Sequence, residues 1–151
     1  MAEFFDTNVL AYQYDDSAGD KQRIAREVFL SHAEDAMIST QVMIELHAVL
    51  TRRLGVSREA AARVLDTLAL EVVPADEHLV RRAADTAAAH QLSIFDALVL
   101  EAAAAAGCHE LWTEDLADGR QGPAVAPGGR HWKVTGPWND QSAVIVMSSP
   151  G

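Results

Sequence analysis

Short apolar runs alternate with longer stretches of helical periodicity along most of this chain. Phe4-Phe5, Met37-Ile38, Val72-Val73, Leu111-Trp112 and, later, Trp132 to Val134 read as buried strands. Between them, apolar residues spaced three and four apart predict helices over roughly 19–32, 40–53, 57–68, 76–90 and 93–106. Ser57 and Asp76 stand where N-caps belong, and Gly107 where a helix should end. Strands that alternate with helices of this length predict an α/β sandwich around a mostly parallel sheet.

The pattern weakens toward the end of the chain. Four of the five prolines and six of the nine glycines fall after residue 118. Loop, one edge strand and a loosely held terminus is the expected description. The run from Ala143 to Met147 is apolar enough to add a strand or to pack on a neighbouring molecule, and the sequence leaves the two open.

Composition narrows the class. The chain has 151 residues, 49% hydrophobic and 23% charged, which suits one globular domain and excludes a disordered chain. Its net charge of −10 excludes a fold-wide basic surface for nucleic acid, although not a local basic patch. Arg52-Arg53 and Arg81-Arg82 are the local candidates, and a solvated face is the simpler account of both. The single cysteine, Cys108, permits no internal disulfide and is expected to be a small buried hydrophobe. Glu3 and Asp6 lie where a secretory leader would be basic or apolar, and the most apolar stretch, 92–108, contains Asp96 and Glu101. A cytoplasmic protein with no membrane association is the expectation.

Four acids sit in awkward places. Asp6 directly follows the first strand, and Asp115 ends a similar run, Leu111-Trp112-Thr113-Glu114-Asp115. A turn or helix cap would explain either one alone. Together they suggest an acidic edge, because ligands of parallel sheets bind outside the carboxyl ends of the strands. Glu45 falls at the margin of the stripe Val42, Leu46, Val49 and Leu50, where a carboxylate needs a cation, hydrogen-bond donors or a proton, and a salt bridge to Arg52 or Arg53 is the blander and less favoured account. Asp96 opens an otherwise apolar helix and also fits a capping box with Ser93. Glu101 lies about 140° around that helix and is expected to be an ion-pair or interface residue. Glu114 and Asp118 read as solvated loop.

Converging carboxylates repel by roughly 3 kcal/mol per pair at about 5 Å and an effective dielectric near 20. Hard divalent ions such as Mg²⁺ or Mn²⁺ relieve that repulsion, and phosphodiester hydrolysis is the chemistry they support. No histidine pair has zincin spacing, and no Walker A, GxGxxG or GxSxG motif occurs.

These stations, in this order, resemble the PIN domain, and most closely the VapC toxins of bacterial toxin–antitoxin pairs. Phe5-Asp6-Thr7-Asn8-Val9-Leu10 is similar to the opening motif, and Ser39-Thr40-Gln41-Val42 with Glu45-Leu46 to the second. Ser93-Ile94-Phe95-Asp96-Ala97 and the segment from Gly107 to Leu116 correspond to the third and fourth. The resemblance implies a PIN-like α/β/α sandwich and an Mg²⁺- or Mn²⁺-dependent ribonuclease with one or two ions per site. Asp6, Glu45, Asp96 and Asp115 would surround the metal, with Thr7, Asn8 and Thr113 as supporting polar groups. It also implies an RNA substrate, a small VapB-like antitoxin and a homodimer. Residues 1–138 would form the nuclease domain and 139–151 a C-terminal tail. The sequence departs from the family in reading Gly136-Pro137-Trp138 after the last strand and in continuing beyond it.

Two other classes remain. A non-catalytic PIN-like binding module would be expected to have lost one or more of the acids, and all four are present. A metal-dependent phosphatase of the haloacid-dehalogenase type needs a second Asp two residues after the first, where this chain has Asn8. On the apolar side, Leu46, Val49, Leu50, Leu54, Val64 and Leu68 exceed what one small sheet obviously requires. They are therefore expected to wall a groove for the antitoxin or to serve the homodimer.

Overall fold

Side chains that satisfy free backbone amides mark where the helices begin. The computed structural model describes residues 2–113 and, beyond them, the backbone of three strands at 125–126, 130–134 and 144–147. Ser39, Ser57, Asp76 and Ser93 each accept a hydrogen bond from the amide three residues on. They open α3 (Thr40–Arg52), α4 (Arg58–Thr67), α5 (Glu77–His90) and α6 (Ile94–Ala105). At the other end of α6, Gly107 adopts φ +69, which a side chain would strain. Its neighbour Cys108 returns its amide to the Ala103 carbonyl at 3.0 Å, closing the helix.

The chain opens with β1 (Glu3–Phe5), the short α1 (Thr7–Tyr12) and α2 (Asp20–His32). The strands β2 (Ala36–Ser39), β3 (Glu71–Val73) and β4 (Glu110–Trp112) complete a parallel group in the order β3-β2-β1-β4. This is the expected α/β/α arrangement, with six helices among the described residues around a central parallel sheet. The helix α1 is an addition, since six residues hold too few turns to show periodicity.

Beyond β4 the sheet turns antiparallel. The strand β7 (Val144–Met147) pairs with β4, β6 (Arg130–Val134) with β7, and β5 (Val125–Ala126) with β6. The apolar run at the end of the chain thus supplies a strand over Val144–Met147, and it occupies the edge that β4 would otherwise leave with unpaired amides and carbonyls.

The topology fixes where a ligand can sit. From β1 the chain moves outward through β2 and β3, then returns to the opposite side of β1 to form β4. The order therefore reverses between β1 and β4, and the carboxyl ends of those two strands flank the crevice that such a reversal creates. Asp6 follows β1 there, and its amide donates to the Trp112 carbonyl at 2.9 Å. Thr113 follows β4.

The core lies against both faces of this sheet. Phe4, Phe5, Ile38 and Leu111 from the strands are wholly buried, as are Val42, Leu46 and Leu50 along one side of α3. Residues 97–103 of α6 are all buried, so this helix is central and apolar nearly all round. Of the apolar surplus on the second and third predicted helices, Leu46 and Leu50 are inside, while Val49, Leu54, Val64 and Leu68 pack half-buried against the same core. The helices α3 and α4 thus use these residues to cover the sheet and each other, with Val49, Leu54, Val64 and Leu68 still partly exposed. The more exposed apolar side chains are Leu30, Ile44 and Phe95. No helix among the described residues is long and apolar enough to cross a membrane.

Candidate active site

Three of the four predicted acids line one cleft of about 290 Å³, namely Asp6, Glu45 and Asp96. Each comes from a different element. Asp6 caps α1 at the end of β1, with its Oδ1 accepting from the Thr7 amide at 2.7 Å. Thr113 holds the other oxygen, donating its hydroxyl to Asp6 Oδ2 at 2.8 Å across the β1–β4 crevice. Asp6 thus belongs to a cap and to the acidic edge at once.

Glu45 projects from the second turn of α3 rather than pairing with Arg52 or Arg53, both of which are exposed. Thr7 donates its hydroxyl to Glu45 Oε2 at 2.8 Å, and Gln41 donates its amide to Oε1, also at 2.8 Å. The sequence assigns no role to Gln41. Its position four residues before Glu45 on the same helix face is the cue that could have found it. The same Gln41 amide lies 3.3 Å from the Phe95 carbonyl, tying α3 to the start of α6 beside Asp96.

Asp96 donates its backbone amide to Ser93 Oγ at 3.0 Å, the N-cap half of the expected capping box, and Asp96 lines the cleft. Asn8 also lines the cleft. Glu101 does not. It is buried on the far side of α6, where Thr86 donates to Oε1 at 2.6 Å and Arg82 stands 2.9 Å from Oε2. The expected ion pair is therefore present, with its carboxylate inside the α5–α6 interface and its arginine half-exposed, whereas both Arg81 and Glu77 of the neighbouring pair are exposed. Asp115, Glu114 and Asp118 lie outside the described residues.

Among the described residues, the donors to Asp6 and Glu45 are neutral: two threonine hydroxyls, one glutamine amide and one backbone amide. Burial pushes the Asp6 carboxyl up to about 6 from its ordinary 3.8. The hydrogen bonds from Thr113 and Thr7 oppose that shift, and the charges of Glu45 and Asp96 add to it. An all-oxygen set of carboxylates, short of positive charge, matches the preferences of a hard divalent cation. By contrast, the described side chains with ligand atoms within 4.8 Å of one another, Glu3, His109 and Glu110, sit at the opposite ends of the same strands.

Comparison with known proteins agrees with this geometry. Residues 4–117 match the PIN domain family model. None of the curated proteins matches the sequence. Among solved structures, the fold is similar to that of the VapC20 toxin of Mycobacterium tuberculosis, described as cleaving the sarcin-ricin loop. The TM-score is 0.66 at 23% identity, over 76% of this chain and 90% of that one. It is also similar to a toxin–antitoxin complex from Klebsiella pneumoniae, with TM-score 0.60, 19% identity and coverage of 78% and 89%. VapBC2 of Rickettsia felis, bound to a promoter DNA fragment, gives 0.58 at 18% identity, with coverage of 77% and 89%. With the family model spanning most of its length and its acids gathered at the β1–β4 crevice, this chain belongs to the PIN-domain family.

Proposed function

We propose that the chain is an endoribonuclease that depends on Mg²⁺ or Mn²⁺, acting as the toxin of a toxin–antitoxin pair in the cytoplasm. The observation that carries this reading is the convergence of Asp6, Glu45 and Asp96 on one cleft at the sheet's reversal point. Asp115 is assigned as the fourth acid, two residues beyond Thr113.

Asp6, Glu45, Asp96 and Asp115 would hold one or two ions. Bound there, the metal supplies positive charge to stabilise a phosphodiester during attack and makes water a better nucleophile near neutral pH. The chain's own groups prepare the site. Thr113 and the Thr7 amide keep Asp6 facing the cleft, and Thr7 with Gln41 fix both oxygens of Glu45. This preorganisation avoids the entropy of ordering the carboxylates during catalysis. Asn8 adds an uncharged polar group beside the acids. The overall charge of −10 means that an RNA backbone must be met by the metal and by local arginines.

An active ribonuclease needs restraint, and the cleft's surroundings favour a protein partner. Phe95 lines the cleft and is 63% exposed, and Ile44, next to Glu45, is 71% exposed. A small VapB-like antitoxin that lays apolar side chains there and extends an arginine to the carboxylates would compete with metal. A homodimer is also expected.

The test is cleavage of structured RNA by the purified chain with Mn²⁺ or Mg²⁺, beside Asp6→Asn and Asp96→Asn. Both substitutions should abolish cutting while the far-UV circular dichroism is unchanged. Near wild-type cutting by either variant would overturn the assignment. Co-expression with the neighbouring open reading frame should yield a complex lacking nuclease activity. A strictly monomeric chain that co-purifies with nothing and keeps its activity would defeat the partner reading.

A further inference from the structure

The amino edge of the sheet carries a second constellation, about 10 Å from the cleft given a rise of roughly 3.3 Å per strand residue. Glu3 begins β1 and Glu110 begins β4, and the parallel register sets them side by side. On the same face, Phe5 stacks on Trp112 and meets Phe29 of α2 edge-on. The helix α2 therefore covers this face, and its last residue, His32, brings Nδ1 to 2.7 Å from Glu3 Oε2. His109 completes the group from the residue before β4.

The ligand atoms of Glu3, His109 and Glu110 lie within 4.8 Å of one another. Three details distinguish them from a chance meeting of polar side chains. First, His109 Nδ1 lies 2.9 Å from the Ala2 carbonyl, which can only accept, so Nδ1 carries the proton. In the neutral ring Nε2 then presents a lone pair, and it lies 3.9 Å from a Glu110 oxygen that is also an acceptor. Metal-binding histidines are oriented in this way, with the other ring nitrogen donating to a carbonyl. Second, Glu3 is 95% buried, and its Oε2 receives no hydrogen bond among the described residues, His32 being near but out of line. Third, the Cys108 thiol contacts Met37 Sδ at 3.8 Å and is not one of the grouped ligand atoms, so the donors are one imidazole and two carboxylates.

Two carboxylates and an imidazole with ligand atoms within 4.8 Å of one another, with His32 as a neighbouring donor to Glu3, form a set that a cation can bridge. Imidazole together with carboxylates favours Zn²⁺ over Mg²⁺. At about 2.1 Å per bond, a tetrahedral ion holds its donors roughly 3.4 Å apart, which small side-chain rotations can reach here.

We propose that Glu3, His109 and Glu110 form a Zn²⁺ site that clamps the amino ends of β1 and β4, separate from the acidic cleft. The ion would tie the start of β1 to the last strand of the parallel group.

The test titrates ZnCl₂ into the untagged full chain after removal of metals by EDTA. It is read by calorimetry and by the visible spectrum of the Co²⁺-substituted protein. The Asp6→Asn/Asp96→Asn double variant isolates this site from the cleft, so the outcome is independent of the nuclease reading. Wild type and double variant should each bind a Zn²⁺ with micromolar or tighter Kd and show tetrahedral Co²⁺ bands. Added to that double variant, His109→Gln and Glu110→Gln, both at partly exposed positions, should weaken binding at least tenfold and abolish the bands with the circular dichroism unchanged. Equal affinity with and without these changes, or no Zn²⁺ binding by the double variant, would overturn the site.

Discussion

Thr7 and Glu45, 38 residues apart in sequence, are joined by a hydroxyl-to-carboxylate hydrogen bond of 2.8 Å. The bond couples the first turn after β1 to the helix after β2, so the position of Glu45 depends on the strand that carries Asp6. A hydrogen bond to a charged group contributes about 1.5–3 kcal/mol. Thr7→Val, which keeps the shape and removes the hydroxyl, is expected to lower RNA cleavage about tenfold or more. Thr7→Ser should retain most of it. Equal rates for the valine and serine variants would show that the bond does not position Glu45.

Millimolar Mg²⁺ or Mn²⁺ is expected to raise the Tm of the wild-type chain, because a ligand bound only by the folded state stabilises it by mass action. The rise should shrink in Asp96→Asn, which removes one charge from the cleft. Identical metal-induced shifts in the two proteins would remove Asp96 from the site.

The pH dependence of the metal-free protein follows from Asp6. Its carboxyl titrates near 6 when folded, against an ordinary 3.8, chiefly because it is buried. Between those values the folded state binds more protons than the unfolded state, so stability falls as pH rises. The favourable contribution is fully present below about pH 4 and lost as pH passes 6. Asp6→Asn lacks this titration and retains a cap. In EDTA, wild type should therefore lose on the order of 2 kcal/mol relative to Asp6→Asn between pH 4 and pH 7, as read from urea midpoints. Parallel pH profiles for the two proteins would contradict the burial of the Asp6 carboxyl.

Arg82 is expected to matter for folding and not for cleavage. It faces Glu101, which is 1% exposed between α5 and α6. Removing Arg82, whose side chain is 44% exposed, leaves the buried Glu101 charge without its cation at a cost of about 1–2 kcal/mol, less than for a fully buried pair. Arg82→Met should destabilise by roughly that amount, and adding Glu101→Gln should recover a large part of the loss, since the neutral amide can still meet Thr86. A fully additive double variant in urea denaturation would disprove the coupling.

How much of this was legible beforehand differs by element. Periodicity of three and four, with Ser57, Asp76 and Ser93 as caps and Gly107 as terminator, placed five helices to within about two residues, because capping and amphipathicity are local properties. The acids were legible for a related reason. A carboxylate directly after a buried strand, as at Asp6, or among apolar helix positions, as at Glu45 and Asp96, conflicts with its surroundings and so draws attention.

Contacts between distant segments were not legible. Nothing local to Thr7 names Glu45 as its acceptor, and nothing near Ala143 to Met147 says that β4 will have a free edge beside it. The same holds for Glu3, His109 and Glu110, which are unremarkable as letters and meet only because β1 and β4 run parallel in that register. How much of the apolar surface of α3 and α4 is used inside was not legible for the same reason, since the area that a sheet needs covered depends on how its helices cross it. The sequence by itself determined the helices, the order of elements and the class of chemistry that the acids could support. Which groups touch was decided only by the tertiary structure, because strand pairing and helix docking join residues whose separation in sequence carries no periodic signature.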